Sequence, residues 1–553
     1  MRDVLTRHHM VLFFGLWLLL GLLQSGLTEL QDDEAYYWLY GQYLDWGYFD
    51  HPPMIGLLVK MGYSILPGEL GVRLFPLLLN LFSLMIIERL TEKKNPSLFY
   101  AIALSIAVLQ ISGFVAVPDI PLIFFTALFF LFYKKFISRA SILNTFLLGL
   151  AVALLLYSKY HAVLIVFFVL LSNLKLFTRP QTYIAGLIAL ILFAPHLWWQ
   201  YQHDWVSFRY HLFESNVNAY KASFTLDYIL GQLLLPGPIA GFILLPAAFL
   251  YKPRTASTRG MKFMMIGIYV FFLLSSFRGR VEGNWTSPAL VPLIVLSHQF
   301  LLHHVKWRTW LVRLLPITII LVVFSRVIMI ADFLPVKEIK NRYHSWKQWP
   351  SEMRSITHAK PIVFSNSYQR ASKYWFYTGQ MTFSQNWYRE RRNSFNFWPV
   401  EDSLLGKPVY FLDKYGLKRF RDSLSTPLGW IGYQYDSSFI SFTKINIETV
   451  HRMSTKAGIP FHVRGMYKMP ELYRSFILSH ENLNDTTVLG IFNNRGWIKD
   501  VAVVKTLKEA VLKPEVIVQV EGLSKGNYYL RFSIRSGAYN ATHNSAKITL
   551  IVE

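Results

Sequence analysis

Long apolar stretches alternate with short polar segments along most of the chain. Each stretch approaches the ~20 residues that an α-helix needs to cross a bilayer. From about Pro335 onward, polar and charged residues become frequent and no further stretch is long enough. The pattern therefore predicts eleven transmembrane helices followed by a soluble region. The predicted helices begin near Met10, Gly71, Leu98, Asp119, Ile142, His161, Gln181, Leu226, Met261, Thr286 and Trp310.

Two parts of this pattern admit another interpretation. The stretches at 142–157 and 161–174 are short and close together, but merging them would place all later basic loops on the wrong side of the membrane. The segment Met1–Leu23 resembles a signal peptide, because Arg2 and Arg7 precede an apolar run. No small-residue cleavage site follows it, so we interpret it as an uncleaved first helix.

Lysine and arginine are concentrated in alternate loops between the predicted helices. Such an excess marks the cytoplasmic side, so we expect a cytoplasmic N-terminus in the cytoplasmic (inner) membrane and an extracytoplasmic soluble region. The opposite loops contain the polar motifs that could carry chemistry. The basic clusters are Arg89, Lys93 and Lys94; Lys134, Lys135 and Arg139; Lys175 and Arg179; Lys252, Arg254, Arg259 and Lys262; and Lys306, Arg308 and Arg313.

The polar region is predicted to be a soluble α+β domain at 335–553, after a transmembrane domain at 1–334. Runs rich in β-branched and aromatic residues alternate there with Gly and Ser turn signals, which is typical of strands. The predicted strands are 360–364, 408–412, 516–520 and 528–534, with a helix at 367–377.

Composition supports this class and excludes others. Of the 553 residues, 53% are hydrophobic, which fits a polytopic membrane protein with a soluble region. The absence of cysteine excludes a disulfide framework and a thiolate metal site. The net charge of +23 is spread over short clusters and not gathered into a nucleic-acid-binding patch. Basic loops of this kind favour anionic lipid headgroups.

Carboxylates stand at the non-cytoplasmic ends of the predicted helices. Asp32, Asp33 and Glu34 directly follow the first span, and Asp119 begins a later one. Acids collected at the mouth of a helical bundle indicate general-base chemistry on a substrate at the bilayer edge. Plainer interpretations remain: Asp33 and Asp119 could cap helices, and Glu34 could raise the pKa of Asp33 by repulsion or simply face water.

The combination of these motifs resembles a known family. Asp33-Glu34 lies about twenty residues before His51-Pro52-Pro53, and Asp119 opens an Asp-Xaa-Pro-Leu turn. Over roughly residues 10–310 the chain resembles the protein O-mannosyltransferases and their bacterial relatives, the lipid A aminoarabinose transferases. These are GT-C type integral-membrane glycosyltransferases with polyprenyl-phosphate sugar donors. The insert domain of the eukaryotic enzymes is missing, and His51 stands where the aminoarabinose transferases have Lys.

The resemblance implies a function. We expect a hexosyl- or pentosyltransferase that moves a sugar from a polyprenyl-phosphate donor to a hydroxyl or phosphate of a lipid, protein or glycan at the outer face of the membrane. It implies that Asp33 is the catalytic base with Glu34 beside it, and that Asp119 is a second acidic site for acceptor orientation or metal binding. A divalent metal ion remains an open cofactor, and no nucleic acid partner is expected.

Cations on the same side are candidates for holding the donor phosphate. Lys159 is a lone cation between two apolar spans, and such residues usually face a polar cavity, although a lysine can also snorkel to headgroups. Arg278 and Arg280 violate the basic-inside trend, which an anionic donor would explain. His51 could bind phosphate, carry a proton or be structural. Glu282 and, more weakly, Asn284-Trp285 are candidates for the sugar pocket.

Two other functional classes remain open at this point. A lipid flippase would also need many spans and intramembrane charges, but it would favour broken helices and repeated halves. A glycan ligase of the outer face would use lipid-linked donors but transfer whole glycans.

Overall fold

The computed structural model describes residues 2–214, 220–414, 420, 422–427, 429–480, 483, 485–493, 496–503, 505–537 and 539–553. The chain divides into two compact units, Met1–His344 and Ser345–Glu553. The first unit is helical and the second contains both helices and sheets. The first unit includes a short helix, Lys337–Tyr343, after which His344 Nε2 donates to the Ile328 carbonyl at 3.0 Å.

The first unit is built from membrane-spanning helices. Seven helices within the described residues are long and apolar enough to cross a bilayer, and shorter apolar helices accompany them. The prediction of a polytopic helical membrane protein with a soluble region is thus confirmed. The seven are His8–Leu27, Glu69–Leu90, Asp119–Ser138, Pro180–Gln202, Ala256–Ser275, Gly283–His303 and Val305–Ile330.

Most helices of this unit coincide with apolar stretches of the sequence. They are α1 (Arg2–Leu27), α2 (Asp32–Gln42), α3 (Met54–Ile65), α4 (Glu69–Leu90), α5 (Pro96–Ser105), α6 (Ala107–Ile111), α7 (Asp119–Ser138), α8 (Ile142–Ser158), α9 (Ala162–Ser172), α10 (Pro180–Gln202), α11 (Val206–Arg209), α12 (Ala222–Leu234), α13 (Gly241–Leu250), α14 (Ala256–Ser275), α15 (Leu290–His303), α16 (Val305–Ile330) and α17 (Lys337–Tyr343). Short 3-10 segments at Leu174–Thr178 and Gly283–Ala289 and a π turn at Tyr210–Glu214 connect some of them.

Local signals start several of these helices. The Ser141 hydroxyl accepts from Asn144 N at 3.3 Å at the start of α8, and Thr255 does the same for Thr258 N at 3.1 Å at the start of α14. Side-chain oxygens at these positions satisfy N–H groups that have no partner in the helix. Within the bundle, α7 packs against α4 and α8, and α8 packs against α10. This packing brings the ends of helices that are distant in sequence close together.

The second unit contains three sheets and five helices among its described residues. Its helices are α18 (Trp349–Ile356), α19 (Tyr368–Thr378), α20 (Val400–Leu404), α21 (Glu471–Ser479) and α22 (Leu507–Leu512), with a 3-10 turn at Ser394–Asn396. Its strands are β1 (Ile362–Ser365), β2 (Thr382–Gln385), β3 (Val409–Asp413), β4 (Asp422–Thr426), β5 (Gly429–Asp436), β6 (Asn446–Thr449), β7 (Arg452–Thr455), β8 (Phe461–Lys468), β9 (Asp485–Asn493), β10 (Gly496–Ala502), β11 (Glu515–Val520), β12 (Gly526–Ser536) and β13 (Ile548–Val552).

The sheets differ in strand direction. The first has the order β2-β1-β3-β5-β4, in which β1 pairs in parallel with β2 and β3 while β5 is antiparallel to β3 and β4. The helix α19 connects β1 to β2, as a parallel pair requires. The other two sheets have the orders β10-β9-β12-β13-β7 and β11-β8-β6. Alternate residues of β11 and β8 are buried, and they share one apolar core with residues of β9, β12 and β13.

Candidate active site

Asp119 is the centre of a buried polar cluster at one end of the helical unit. It is the first residue of α7, and its Oδ1 accepts from Lys159 Nζ at 2.9 Å and from the Ser287 hydroxyl at 2.7 Å. Its Oδ2 accepts from Asn284 Nδ2 at 2.8 Å. Asp119 and Lys159 are each only 6% exposed. The helix packing thus joins residues from three distant parts of the chain into one charged site.

Lys159 does not snorkel to the membrane surface. It follows the last residue of α8, and its short distance to a buried carboxylate keeps the ammonium ion inside the protein. A buried cation with one carboxylate partner is costly to desolvate unless further polar groups or a ligand complete its environment. The position therefore agrees with the prediction that this lysine faces a polar site.

His51 lies in the electrostatic field of this cluster. Its ring is partly buried and meets the Tyr37 ring edge-on, with centroids 5.6 Å apart. Burial lowers the pKa of His51 to about 4, the positive charges of Lys159 and His211 act in the same direction, and Asp50 opposes them. Loss of hydration disfavours the charged form of a histidine. His51 is therefore neutral at physiological pH and can donate or accept a hydrogen bond.

The loop between α2 and α3, residues 43–53, is fixed by α10 and the segment after it. His196 Nδ1 donates to the Trp46 carbonyl at 2.7 Å, and the Ser207 hydroxyl donates to the Tyr48 carbonyl at 2.8 Å. A Cβ atom at Gly47 would approach the Trp199 ring to 2.4 Å, so this position needs glycine. These contacts fix the path of the backbone that carries His51.

The Glu34 carboxylate is buried and bonded to other parts of the protein. Its carboxylate is 0% exposed and receives two hydrogen bonds from the Arg73 guanidinium, at 2.7 Å from Nε and 2.6 Å from Nη2. It also accepts from Gln31 N at 2.8 Å and from Ala116 N at 2.9 Å. Glu34 thus does not face water. It connects the first turn of α2 to the segment that leads into Asp119.

Asp33, unlike Glu34, is exposed to solvent. It is the second residue of α2, which begins after Gln31, and it is not the N-cap. Its side chain is exposed whereas that of Glu34 is buried. Because Glu34 bonds to Ala116, three residues before Asp119, the first turn of α2 and the start of α7 lie at the same end of the unit. Asp33 is therefore the carboxylate of this pair that a substrate can reach.

Three of the predicted site residues are not part of the buried cluster. Arg278, Arg280 and Glu282 are exposed and lie in the turn between α14 and the 3-10 segment Gly283–Ala289. Arg280 Nε lies 3.4 Å from Glu282 Oε1, in a solvent-exposed ion pair. Of this region, Asn284 and Ser287 contact Asp119.

Several residues of the site were not predicted from the sequence. Ser287 is a hydroxyl in a 3-10 turn, and nothing in its spacing distinguishes it from other serines. Arg73 is different, because an arginine inside an apolar stretch is rare and usually paired. Its position after Gly71 was a usable signal. Asp50 and His211 also belong to this region, where His211 Nε2 donates to the Asp50 carbonyl at 2.9 Å.

The surroundings of Asp119 do not fit a resident divalent metal. Within the part of the chain that the structure describes, no three His, Asp or Glu side chains converge on a common point. Both carboxylate oxygens of Asp119 already accept hydrogen bonds from Lys159, Ser287 and Asn284. An ammonium ion 2.9 Å from Asp119 occupies the place that a cation would take.

Parts of this chain are similar in sequence to known proteins. Residues 50–199 match the model of the dolichyl-phosphate-mannose-protein mannosyltransferase family. This segment includes His51, Arg73, Asp119 and Lys159 but not the acids of α2. The lipid A galacturonosyltransferase RgtD of Rhizobium johnstonii is 26% identical over 316 residues, which cover 54% of this chain and 65% of that protein. The match thus spans just under two thirds of the relative's length.

The fold is shared with a solved structure. ArnT from Cupriavidus metallidurans in the apo state superposes with a TM-score of 0.59 at 12% identity, covering 77% of this chain and 98% of that one. ArnT bound to undecaprenyl phosphate gives a TM-score of 0.55 at 13% identity, with 77% and 97% covered. The predicted resemblance to the GT-C glycosyltransferases is therefore confirmed at the level of the fold. The family match of residues 50–199 and the similarity to RgtD agree with it.

Proposed function

We propose that this protein is a membrane glycosyltransferase that moves a sugar from a polyprenyl-phosphate donor to a lipid acceptor. The observation that carries the proposal is the buried ion pair of Lys159 with Asp119, held beside a neutral His51 at one end of the helical unit. Such a site can bind a phosphate group at the bilayer edge. The match to the mannosyltransferase family model and the similarity to a lipid A galacturonosyltransferase support it.

Lys159 is assigned to the leaving phosphate. An ammonium group has three N–H donors, and one of them reaches Asp119. No second partner of this ammonium is recorded among the described residues, so two donors remain for a ligand. Asp119 fixes the lysine side chain and balances its charge, while Ser287 and Asn284 fix Asp119. A positioned cation stabilises the negative charge that grows on the departing oxygen.

Asp33 is assigned as the general base. The acceptor oxygen attacks the anomeric carbon, the bond from that carbon to the phosphate oxygen breaks, and its electron pair leaves with polyprenyl phosphate. The acceptor proton passes to the Asp33 carboxylate. Asp33 suits this role better than Glu34 or Asp119 because its side chain is exposed, whereas the other two carboxylates are buried.

The sugar class, the carrier lipid, the acceptor and the membrane orientation are proposed from the relatives and from the charge pattern of the loops. RgtD is named as a galacturonosyltransferase of lipid A and one ArnT structure contains undecaprenyl phosphate, which favours a hexosyl sugar, a polyprenyl carrier and a lipid acceptor here. The alternating basic loops favour an inner-membrane protein with Asp119 and the second unit on the extracytoplasmic side. His51 is proposed to hydrogen-bond the donor phosphate in its neutral form.

The test is donor consumption by the purified full-length protein in lipid vesicles. The measured quantities are release of polyprenyl phosphate from a polyprenyl-phosphate hexose and formation of glycosylated lipid A. We expect Asp33→Asn to lower turnover by ~10²–10⁴-fold. The matched control is Asp32→Asn, which removes a carboxylate from the same helical turn and should remain near wild type. Undiminished turnover in Asp33→Asn contradicts the assignment, and lipid scrambling without a glycosidic product indicates a flippase.

A further inference from the structure

A second cavity lies at the other end of the helical unit. It has a volume of 470 Å³ and opens where α4, α7 and α15 end and α14 begins. Asp119 is the first residue of α7, and the cavity is lined by Lys134 and Ser138 near the last. A helix of this length spans ~30 Å, about the thickness of the hydrocarbon core. The cavity is therefore separate from the candidate active site and lies at the opposite membrane surface.

Positive charge dominates the mouth of the cavity. Lys94, Lys134 and Arg254 line it, against a single carboxylate, that of Glu92. Glu92 bridges the two lysines, with Oε2 at 2.7 Å from Lys94 Nζ and Oε1 at 3.1 Å from Lys134 Nζ. This bridge holds two ammonium groups side by side although their side chains are about half exposed.

Arg254 adds a guanidinium that is not paired in this way. It is exposed, and within the described residues no carboxylate forms an ion pair with it. It directly precedes Thr255, the cap of the 20-residue helix α14, whose N-terminus carries a partial positive charge. Guanidinium groups bind phosphate oxygens in pairs of parallel hydrogen bonds. The cavity thus combines three cations, a helix N-terminus and several hydroxyls.

Apolar side chains form a further part of the lining of the same cavity. Hydroxyl and amide groups of Ser138, Thr258 and Gln299 line it as well. This combination of cations and apolar side chains matches a phospholipid, which has a charged headgroup joined to apolar chains. The apolar residues are Leu90, Ile137, Met261, Val295 and Leu302.

We propose that this cavity binds the phosphodiester headgroup of an anionic phospholipid from the surrounding leaflet. Basic pockets between transmembrane helices bind such headgroups. In this assignment Arg254 and the two lysines contact the phosphate oxygens, and the first part of the acyl chains lies against the apolar side chains of the lining. The site does not depend on the proposed glycosyl transfer, and its test measures lipid binding.

The experiment uses native mass spectrometry of the purified full-length protein with phosphatidylglycerol. The variant Lys134→Gln with Arg254→Gln removes two lining cations, and we expect about a tenfold or greater loss of phosphatidylglycerol affinity. The matched control is Lys175→Gln with Lys306→Gln, which removes two exposed basic residues from other basic clusters. The control should bind like wild type, and phosphatidylcholine should bind weakly to all three proteins.

Three outcomes would overturn the proposal. Unchanged phosphatidylglycerol affinity in the double variant would show that the cavity is not the site. An equal loss in the control would indicate attraction to the whole basic surface. Displacement of the lipid by glycerol 3-phosphate at matched concentration would show that the cavity recognises a soluble phosphate compound. A thermal unfolding curve of each variant distinguishes a loss of lipid binding at the cavity from a loss caused by misfolding.

Discussion

Arg73 and Glu34 form a doubly hydrogen-bonded ion pair from which water is excluded. The two bonds measure 2.7 and 2.6 Å, and the residues are 1% and 0% exposed. The remaining donors of Arg73 bond to backbone oxygens of Ser25, Thr28 and Glu29 at the end of α1. One guanidinium therefore joins α1, α2 and α4 beneath the exposed Asp33.

Removing this arginine should strongly destabilise the helical unit. Arg73→Met leaves the Glu34 carboxylate buried without its cation, and breaking a buried pair costs about 3–5 kcal/mol. We expect a clear fall in the melting temperature of the purified protein in detergent. The matched control is Lys94→Met, which breaks an exposed pair worth about 0–1 kcal/mol. A melting temperature equal to wild type in Arg73→Met would refute the structural role assigned to the pair.

Lys159 and Asp119 should be coupled in catalysis. Lys159→Met removes the ammonium group that we propose to hold the leaving phosphate, and we expect kcat to fall by ~10²–10³-fold. Asp119→Asn keeps an oxygen that can accept from the ammonium, so its effect should be smaller. Because the residues are in direct contact, the effects in the double variant should not add. The measurement is kcat and KM for polyprenyl-phosphate hexose in all four proteins, and simple additivity would argue against a shared role.

The lowered pKa of His51 predicts that the stability of the protein depends on pH. Its pKa is about 4 in the folded protein, below the usual 6.5, mainly because of burial. Between these values the unfolded chain binds a proton that the folded protein does not, so stability rises with pH. Above pH 6.5 the imidazole is neutral in both states, and the protein has its full stability. As the pH falls to about 4, protonation of His51 in the unfolded chain lowers that stability.

The measurement is thermal unfolding of wild type and His51→Gln between pH 4 and pH 7. Wild type should lose stability on acidification more steeply than the variant, because only wild type carries this histidine. His462→Gln serves as the control, since it removes an exposed histidine of β8 in the second unit. Parallel pH profiles for wild type and His51→Gln would contradict a depressed pKa at position 51.

The second unit should fold by itself. Residues 345–553 form a compact unit with their own apolar cluster, which includes Val463, Leu489, Phe532 and Leu550. A domain with its own core can fold independently. We expect the expressed fragment to be monomeric in solution and to unfold in one cooperative transition, as followed by circular dichroism. Replacing Phe532 by Ala should remove about 3–5 kcal/mol of that stability. An unstructured fragment would contradict the division of the chain.

The helices were predictable because each long apolar run has one favourable environment. Asp119–Ser138 and Val305–Ile330 arise almost where the apolar pattern begins and ends. The stretch near Leu98 is different, since it forms α5 and α6 with extended backbone at Ile106 between them. Apolar composition alone gave no sign of this break.

The site was only partly predictable. The sequence identifies Asp33, Asp119 and Lys159 as unusual, because charges next to apolar spans are costly. It does not pair them: Lys159 lies 40 residues from Asp119 and Ser287 lies 168 residues away. Only the packing of α7 against α8 and the 3-10 segment joins these groups. The different surroundings of Asp33 and Glu34, which are adjacent in sequence, also follow from tertiary packing alone.

The tethering of the loop 43–53 makes the path of its backbone independent of the side chain at position 51. The bonds from His196 and Ser207 reach backbone carbonyls, and Gly47 packs on Trp199, so none of these contacts involves the imidazole at position 51. An exchange of that single residue can alter the charge offered to a phosphate while the chain path persists. Substitution at this one position therefore leaves the scaffold around it in place.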